Sequence, residues 1–163
     1  DCDTISELTG LEESRIHPST YELQAPLSPH EAARLEGLRL DMNQFKLPTT
    51  DNNLVVEGAG GVLVPINEGA LMIDLIDQLD LPVVVVARSG LGTINHTLLT
   101  LEALRARNLE LLGVIVSGPA NSANIEAIRT YGKIKILLEL EPISPLDSAG
   151  IDIAAKNLES EFS

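Results

Sequence analysis

Residues 52–66 read NNLVVEGAGGVLVPI, in which an apolar run leads into a carboxylate and a turn with three glycines. We predict that residues 54–56 form the end of a buried strand, because a short apolar run that stops at a glycine turn is typical of one. Glu57 would then lie at the rim of the core, where a charge must be paired, solvated or bound to a metal. The stretch therefore raises the question of what the Glu57 carboxylate binds.

Downstream of this turn, apolar runs alternate with segments of helical spacing. The runs at 81–87, 109–118 and 133–140 are predicted strands, and the helical patterns lie at 70–80, 93–107 and 123–132. Strands that are apolar on both faces and separated by helices indicate a parallel sheet covered on both sides. We therefore predict a doubly wound α/β fold in a single domain over residues 1–163, with ligands bound beyond the carboxyl ends of the strands.

Three more helices are predicted outside this alternating region. The first covers residues 4–9 and is stopped by Gly10, and the pattern at 147–161 predicts a terminal helix. Between them, Ser28 is a plausible N-cap, Pro29 occupies the first helical position and Glu31 completes a capping box. The intervening residues 11–27 are predicted to be loop or edge structure.

Composition excludes several classes of partner. A net charge of −13 without a local basic patch argues against nucleic acid and anionic membrane surfaces. The single Cys2 rules out an intrachain disulfide framework and fits a reducing compartment, and no apolar run is long enough to cross a bilayer. The simplest inference is a cytoplasmic protein with an aliphatic core, since only 2% of the residues are aromatic.

Three places carry candidate chemistry. Glu57 before a glycine turn suits a Mg²⁺ site, and capping of a helix or of backbone N–H groups is about equally compatible with its position. Asp1 and Asp3, in the segment DCD ahead of a helix, leave the same two interpretations open. Asn95 lies in the first turn of a helix that follows the loop SGLG, and amides at such a turn favour anions.

Taken in order, several motifs resemble those of dethiobiotin synthetases, the ATP-dependent enzymes that close the ureido ring late in biotin synthesis. They are DCDTISELTGL, QAPLSPHEAARLEG, VVEGAGGVLVPI and LPVVVVARSGLGTINHTLLTLEALRARNLELLGVIVSG, and they cover most of the chain. The resemblance implies a P-loop NTPase type of α/β fold, a homodimer, and ATP, CO₂ and 7,8-diaminopelargonate as substrates with Mg²⁺ as cofactor.

The resemblance also assigns roles to individual residues. Asp3 and Glu57 would be the carboxylates near Mg²⁺ and the nucleotide phosphates, and Asn95 would help hold the substrate carboxylate across the dimer interface. The remaining nucleotide contacts would come from Gly58, Ala59, Gly60, Ser117, Gly118 and Pro142. Ser117 stands where the family often has an Asn that reads adenine, and LELEPISPL replaces the family's GEIP-like loop, which leaves base selectivity open.

The pattern GxxxxGK[ST] of a phosphate-cradling P-loop does not occur in the sequence. We therefore expect the family's N-terminal strand, P-loop and catalytic lysine to lie upstream of this segment, so that no catalytic residue is assigned within it and its activity alone is uncertain. Two other interpretations stay open. One is a related P-loop amidoligase or phosphotransacetylase-associated domain, and the other is a non-catalytic dimerisation or regulatory module.

Overall fold

The computed structural model describes the backbone of residues 2–162 and the side chains of residues 2–156. The chain divides into two compact units. One unit is formed by the two ends of the chain, up to Ser19 and from Glu141, and the other by Thr20–Leu140. The single domain expected from the sequence stays a prediction.

Six α-helices and three β-strands make up the regular structure of the described residues. The helices are α1 (Cys2–Thr9), α2 (Pro29–Leu35), α3 (Met72–Leu79), α4 (Thr93–Ala106), α5 (Ser122–Gly132) and α6 (Ser148–Phe162). The strands are β1 (Val83–Arg88), β2 (Leu111–Ser117) and β3 (Ile136–Leu140), and short 3₁₀ turns occupy Glu13–Arg15 and Met42–Gln44. All six predicted helices are present, with ends that differ from the predicted ones by a few residues. In the unit that contains the chain ends, α1 packs against α6.

The three strands form one parallel sheet in the order β1-β2-β3. Each strand is rich in Val, Ile or Leu, and a helix connects each strand to the next, as parallel pairing requires. The strands predicted at 81–87, 109–118 and 133–140 are therefore confirmed, and so is the parallel α/β fold.

Helices α4 and α5 bury one face of this sheet. The core consists of Ala87, Leu101, Val114, Val116, Ile125 and Ile128. On β1 the burial alternates, so that Val85 and Ala87 face this core while Val84 and Val86 are exposed, Val86 at 69%. Leu112 of β2 is exposed as well. The helices that the structure describes thus leave these three positions uncovered, although the sequence predicted burial on both faces.

The buried strand predicted at residues 54–56 is wrong. These residues form no strand, Val55 is 93% exposed and Val56 is 46% exposed. An apolar run becomes a strand only where a neighbouring strand offers hydrogen-bonding partners. None of the three strands in the described sheet pairs with it. Glu57 consequently follows a mostly exposed segment outside the sheet and not the end of a buried strand.

A second core lies around α2 and α3. It contains Ala33, Leu40, Ile66, Met72 and Leu75. The loop that precedes α3 folds back over the start of that helix, because the N–H groups of Met72 and Ile73 donate to the carbonyls of Val64 and Val62, both at 2.8 Å. These bonds satisfy amides that a helix start otherwise leaves unpaired. They also fix the backbone immediately after the glycine turn.

The predicted capping box of α2 is wrong in its side-chain bonds. Ser28 does occupy the N-cap position and Pro29 the first helical position, but the Ser28 side chain makes no capping hydrogen bond. The Glu31 carboxylate instead accepts two hydrogen bonds from the Arg34 guanidinium, both at 2.7 Å. A bidentate arginine pair is stronger than a bond to a single amide, and here it occupies both carboxylate oxygens.

Hydrogen bonds tie the carboxyl ends of the three strands together. The Ser89 N–H donates to the Ser117 carbonyl at 3.0 Å, and the Gly118 N–H donates to the Leu140 carbonyl at 2.9 Å. Gly118 has φ = 132°, and a Cβ atom there would lie 2.5 Å from Ser89 Oγ. The backbone can pass this closely only because residue 118 is glycine.

One ion pair connects two helices next to these cores. The Asp74 carboxylate accepts the Leu71 N–H at 2.7 Å and a hydrogen bond from Arg107 at 2.6 Å. The hydrogen bond from the Leu71 N–H holds the pKa of the Asp74 carboxyl below its ordinary value, and the bond from the Arg107 guanidinium adds to this effect.

No helix among residues 2–162 is both long and apolar enough to span a bilayer.

We expect Asp74→Ala to lower the free energy of unfolding by about 1 kcal/mol at about pH 7, since it removes a cap and an ion pair. Because the folded pKa of Asp74 is depressed, its contribution is present above the unfolded value of about 3.9 and is lost as the pH falls through the folded value. Urea unfolding at about pH 7 and about pH 3 measures this difference. Asp77→Ala, on an exposed acid of the same helix, is the control. Equal losses in the two variants at neutral pH would contradict the assigned role of Asp74.

Gly118→Ala is expected to destabilise the protein by about 1–3 kcal/mol, because the added methyl group overlaps Ser89 and the backbone is left-handed. Gly61→Ala is the matched control, since a Cβ atom at that position meets nothing within 4 Å. Thermal unfolding of both variants measures the effect. A melting temperature for Gly118→Ala as high as that of Gly61→Ala would show that the strand ends tolerate a side chain.

Candidate functional site

The glycine turn after Glu57 is exposed and is anchored at one side. Residues 57–60 are all exposed, and a Cβ atom on Gly58 would lie 2.9 Å from the Met72 Sδ atom. Gly60 adopts φ = 80°, in the left-handed region that favours glycine. The glycines therefore allow the turn to approach α3 of the same chain closely, at Gly58. The remaining surface of the turn, including Ala59, faces solvent.

The Glu57 carboxylate makes no hydrogen bond or ion pair with the residues whose side chains the structure describes. In particular it accepts no backbone N–H from them, so the capping interpretation finds no support in this part of the chain. A solvated carboxylate on an anchored turn has its oxygens available to a cation or to a polar ligand.

Asp3 lies in the first turn of α1 and is exposed. An acid at this position is favoured by the helix dipole whether or not it binds a ligand. Asp3 and Glu57 belong to different units, and their pairing at one metal ion stays a prediction. Among the described residues, no three His, Cys, Asp or Glu side chains gather into a metal-binding group. Asp1, for which the sequence left capping and metal binding both open, lies outside the described residues.

Three of the predicted site residues lie at, or shortly after, the carboxyl end of a strand in the sheet. Ser117 ends β2, Gly118 follows it, and both are half-buried against Ser89. Asn95 lies in the first turn of α4, which follows β1, and its side chain is exposed. Because parallel strands present their carboxyl ends at one edge, the structure brings these segments to the same side of the sheet.

The start of α4 is rigidly built. Gly92 precedes the helix with φ = 88°, and the Thr93 N–H donates to the Gly90 carbonyl at 3.2 Å. Thr93 and Thr97 are buried, and their hydroxyls lie 3.4 Å apart. Asn95 projects from this fixed turn into solvent, in a position to contact a ligand.

Pro142 is exposed and lies in the unit formed by the chain ends, two residues after β3. Ser117 and Gly118 lie in the other unit. The proximity of Pro142 to these residues that the resemblance implies stays a prediction.

The structure adds two asparagines that sequence reasoning missed. The Asn121 side chain accepts the Asn124 N–H at 3.1 Å and so caps α5. The Asn124 amide in turn donates to the Ser89 carbonyl at 2.9 Å and to the Gly90 carbonyl at 3.5 Å. Asn121 comes two residues after Pro119 and directly before a helical pattern, which is a recognisable N-cap signal. The bonds of Asn124 to a loop 34 and 35 residues earlier leave no such signal in the sequence.

Chemically, this arrangement suits binding and orientation. The Glu57 carboxylate can accept a cation, and the first turn of α4 presents amides and the Asn95 side chain, which favour a carboxylate or a phosphate. Both groups are exposed and both are carried by backbone that is fixed by hydrogen bonds elsewhere. Each of these two positions is thus suited to binding a charged group of a small molecule.

Comparison with known proteins agrees with this description. A family profile described as "AAA domain" matches residues 1–149. The ATP-dependent dethiobiotin synthetase BioD of Paramagnetospirillum magneticum is 59% identical over 151 residues, which cover 93% of this chain and 73% of the relative. The protein of the same name from Lawsonia intracellularis is 49% identical over 146 residues, which cover 90% of this chain and 70% of the relative.

A longer relative is the biotin biosynthesis bifunctional protein BioCD of Bordetella avium, 52% identical over 158 residues that cover 97% of this chain and 34% of the relative. The aligned regions span nearly the whole chain, and identities of this size preserve both fold and family. The resemblance predicted from the motifs is thus confirmed, and the chain belongs to the dethiobiotin synthetase family.

Proposed function

We propose that the chain is part of an ATP-dependent ligase that joins 7,8-diaminopelargonate and CO₂ into the ureido ring of dethiobiotin, with release of ADP and phosphate. The names of the aligned relatives support the ATP-dependent ring closure. The structural observation that carries the proposal is the Glu57 carboxylate, which is exposed and unbound by described side chains on a turn fixed to α3.

The proposed reaction has three steps. An amine of the substrate attacks the carbon of CO₂ and loses a proton, which gives a carbamate. A carbamate oxygen then attacks the γ-phosphorus of ATP, and the bond to the ADP oxygen breaks. Finally the second amine attacks the carbamate carbon and loses a proton, while the carbon–oxygen bond to phosphate breaks and the ring closes. Positioning and charge stabilisation can supply most of this catalysis.

The residues of this chain would divide the binding between them. Gly58, Ala59 and Gly60 would approach the nucleotide, because their small side chains leave the turn open. Ser117, Gly118 and Pro142 would contact it near the base. Asn95 would hold the substrate carboxylate from the partner subunit, a role that fits its exposure on a fixed helix start.

The donor set fits a magnesium ion. Mg²⁺ in phosphate-handling sites is held by one or two carboxylates together with phosphate oxygens and water, and Glu57 and Asp3 are both exposed carboxylates. These two residues would hold the ion. When bound, Mg²⁺ would neutralise charge on the transferring phosphoryl group.

The proposal includes a homodimer in the cytoplasm. Among the described residues, no feature favours the amidoligase or the regulatory module over the synthetase.

The first test uses the full-length enzyme with ATP, MgCl₂, bicarbonate and 7,8-diaminopelargonate. We expect phosphate release that depends on the diamine, and a product with the mass of dethiobiotin. The matched control omits the diamine, which separates ring closure from simple ATP hydrolysis. Phosphate release at the same rate with and without the diamine would refute the proposed reaction.

The second test concerns Glu57. We expect Glu57→Gln to fold normally, because its shape is retained, and to lower Mg²⁺-dependent turnover by roughly 10- to 100-fold. Glu68→Gln is the control, since Glu68 is also exposed in the loop before α3 and loses the same charge. Steady-state rates over a series of MgCl₂ concentrations measure the effect. Equal rates for the two variants would assign Glu57 no part in metal or nucleotide binding.

A further inference from the structure

Asn124 connects two segments that are distant in sequence. It is the third residue of α5, and its side-chain amide reaches across the sheet edge to the loop between β1 and α4. There it donates to the Ser89 carbonyl at 2.9 Å and, more weakly, to the Gly90 carbonyl at 3.5 Å. Ser89 is only 4% exposed, so its carbonyl has little access to water. A buried carbonyl without a donor is costly, which makes this amide bond important for the loop.

The loop that Asn124 holds determines where α4 begins. The Gly90 carbonyl also accepts the Thr93 N–H at 3.2 Å, and the Gly92 carbonyl accepts the His96 N–H at 3.1 Å. The same short stretch therefore forms the first turn of α4, from which Asn95 projects. A shift of Ser89 and Gly90 would be transmitted directly to Asn95, because only Leu91 and Gly92 separate the loop from the helix.

The requirements of helix α5 do not explain why residue 124 is an asparagine. The Asn121 side chain already caps α5, so the Asn124 amide is not needed for capping. Asparagine is also a poorer helix former than alanine or glutamate, and an acid would suit the first turn better. The contacts of the amide group are across the sheet edge and not within the helix.

We propose that Asn124 is a positioning residue for substrate binding, acting through the Ser89–Gly90 carbonyls to fix the first turn of α4 and thereby Asn95. The inference rests on the proposed function, because it takes the ligand of Asn95 to be the carboxylate of the diamine. Asn124 itself touches neither substrate nor nucleotide in this proposal.

Asn124→Asp isolates the effect. An aspartate has nearly the same shape and favours the start of α5, but its carboxylate cannot donate to the two carbonyls. In the full-length enzyme we expect KM for the diamine to rise roughly tenfold, while KM for ATP changes by less than about twofold. Amide hydrogen exchange at residues 91–97 should become faster as the loop loosens.

Ser122→Asp is the matched control, because it adds the same negative charge to the first turn of α5, at an exposed position, and leaves the Asn124 amide in place. Its kinetics should match those of the wild type. If it raises KM for the diamine as much as Asn124→Asp does, the effect is one of charge and the proposal is overturned. An unchanged diamine KM, an equal rise in both KM values, or unchanged exchange at residues 91–97 in Asn124→Asp would overturn it as well.

Asn124→Ala removes the donor without adding a charge and replaces the first variant if that one does not fold. If neither variant folds, Asn124 is structural and the proposal is wrong. A wild-type enzyme without diamine-dependent phosphate release contradicts the proposed function itself. An active wild type with unaltered Asn124→Asp kinetics contradicts only the inference about Asn124.

Discussion

The joining of the three strand ends is the constraint on which the site depends. Parallel strands bring their carboxyl ends to one edge, and backbone bonds from Ser89 to Ser117 and from Gly118 to Leu140 hold those ends together. Gly118 allows the contact because a side chain there would overlap Ser89. The segments that carry Ser117 and Asn95 thus start from fixed backbone, and loops that bind ligands are most effective on such a scaffold.

The glycines after Glu57 show how one residue type can serve packing and binding together. Gly58 lies close to the Met72 side chain and Gly60 has a left-handed backbone that favours glycine, so both have a structural reason that involves no ligand. The exposure of the turn and the unbound Glu57 carboxylate have no such structural reason among the described contacts. Binding is therefore argued from the carboxylate, and the glycines explain how its turn is held against α3.

The sequence predicted those parts of the fold whose signals are local and periodic. The Val-rich run of β1 and the helical spacing of α4 identified their elements, because each pattern is set by burial on one element at a time. Residues 54–56 carried an equally apolar pattern and form no strand, since a strand also requires a partner that no local pattern reveals. The Ser28 capping box was also wrong, since the Glu31 carboxylate accepts hydrogen bonds from the Arg34 side chain and the Ser28 side chain makes no cap bond. Asn124 could not be assigned from sequence, since its partners are remote.

The bond between Asp74 and Arg107 has a consequence for the two helices that it joins. Asp74 lies at the amino end of α3, where the helix dipole is positive, and Arg107 lies at the carboxyl end of α4, where it is negative. Each side chain thus stabilises its own helix and its partner at the same time. The charges at two helix ends are compensated by one pair of residues, so the stabilities of α3 and α4 are coupled: a change that frays one helix end also removes the counter-charge from the other.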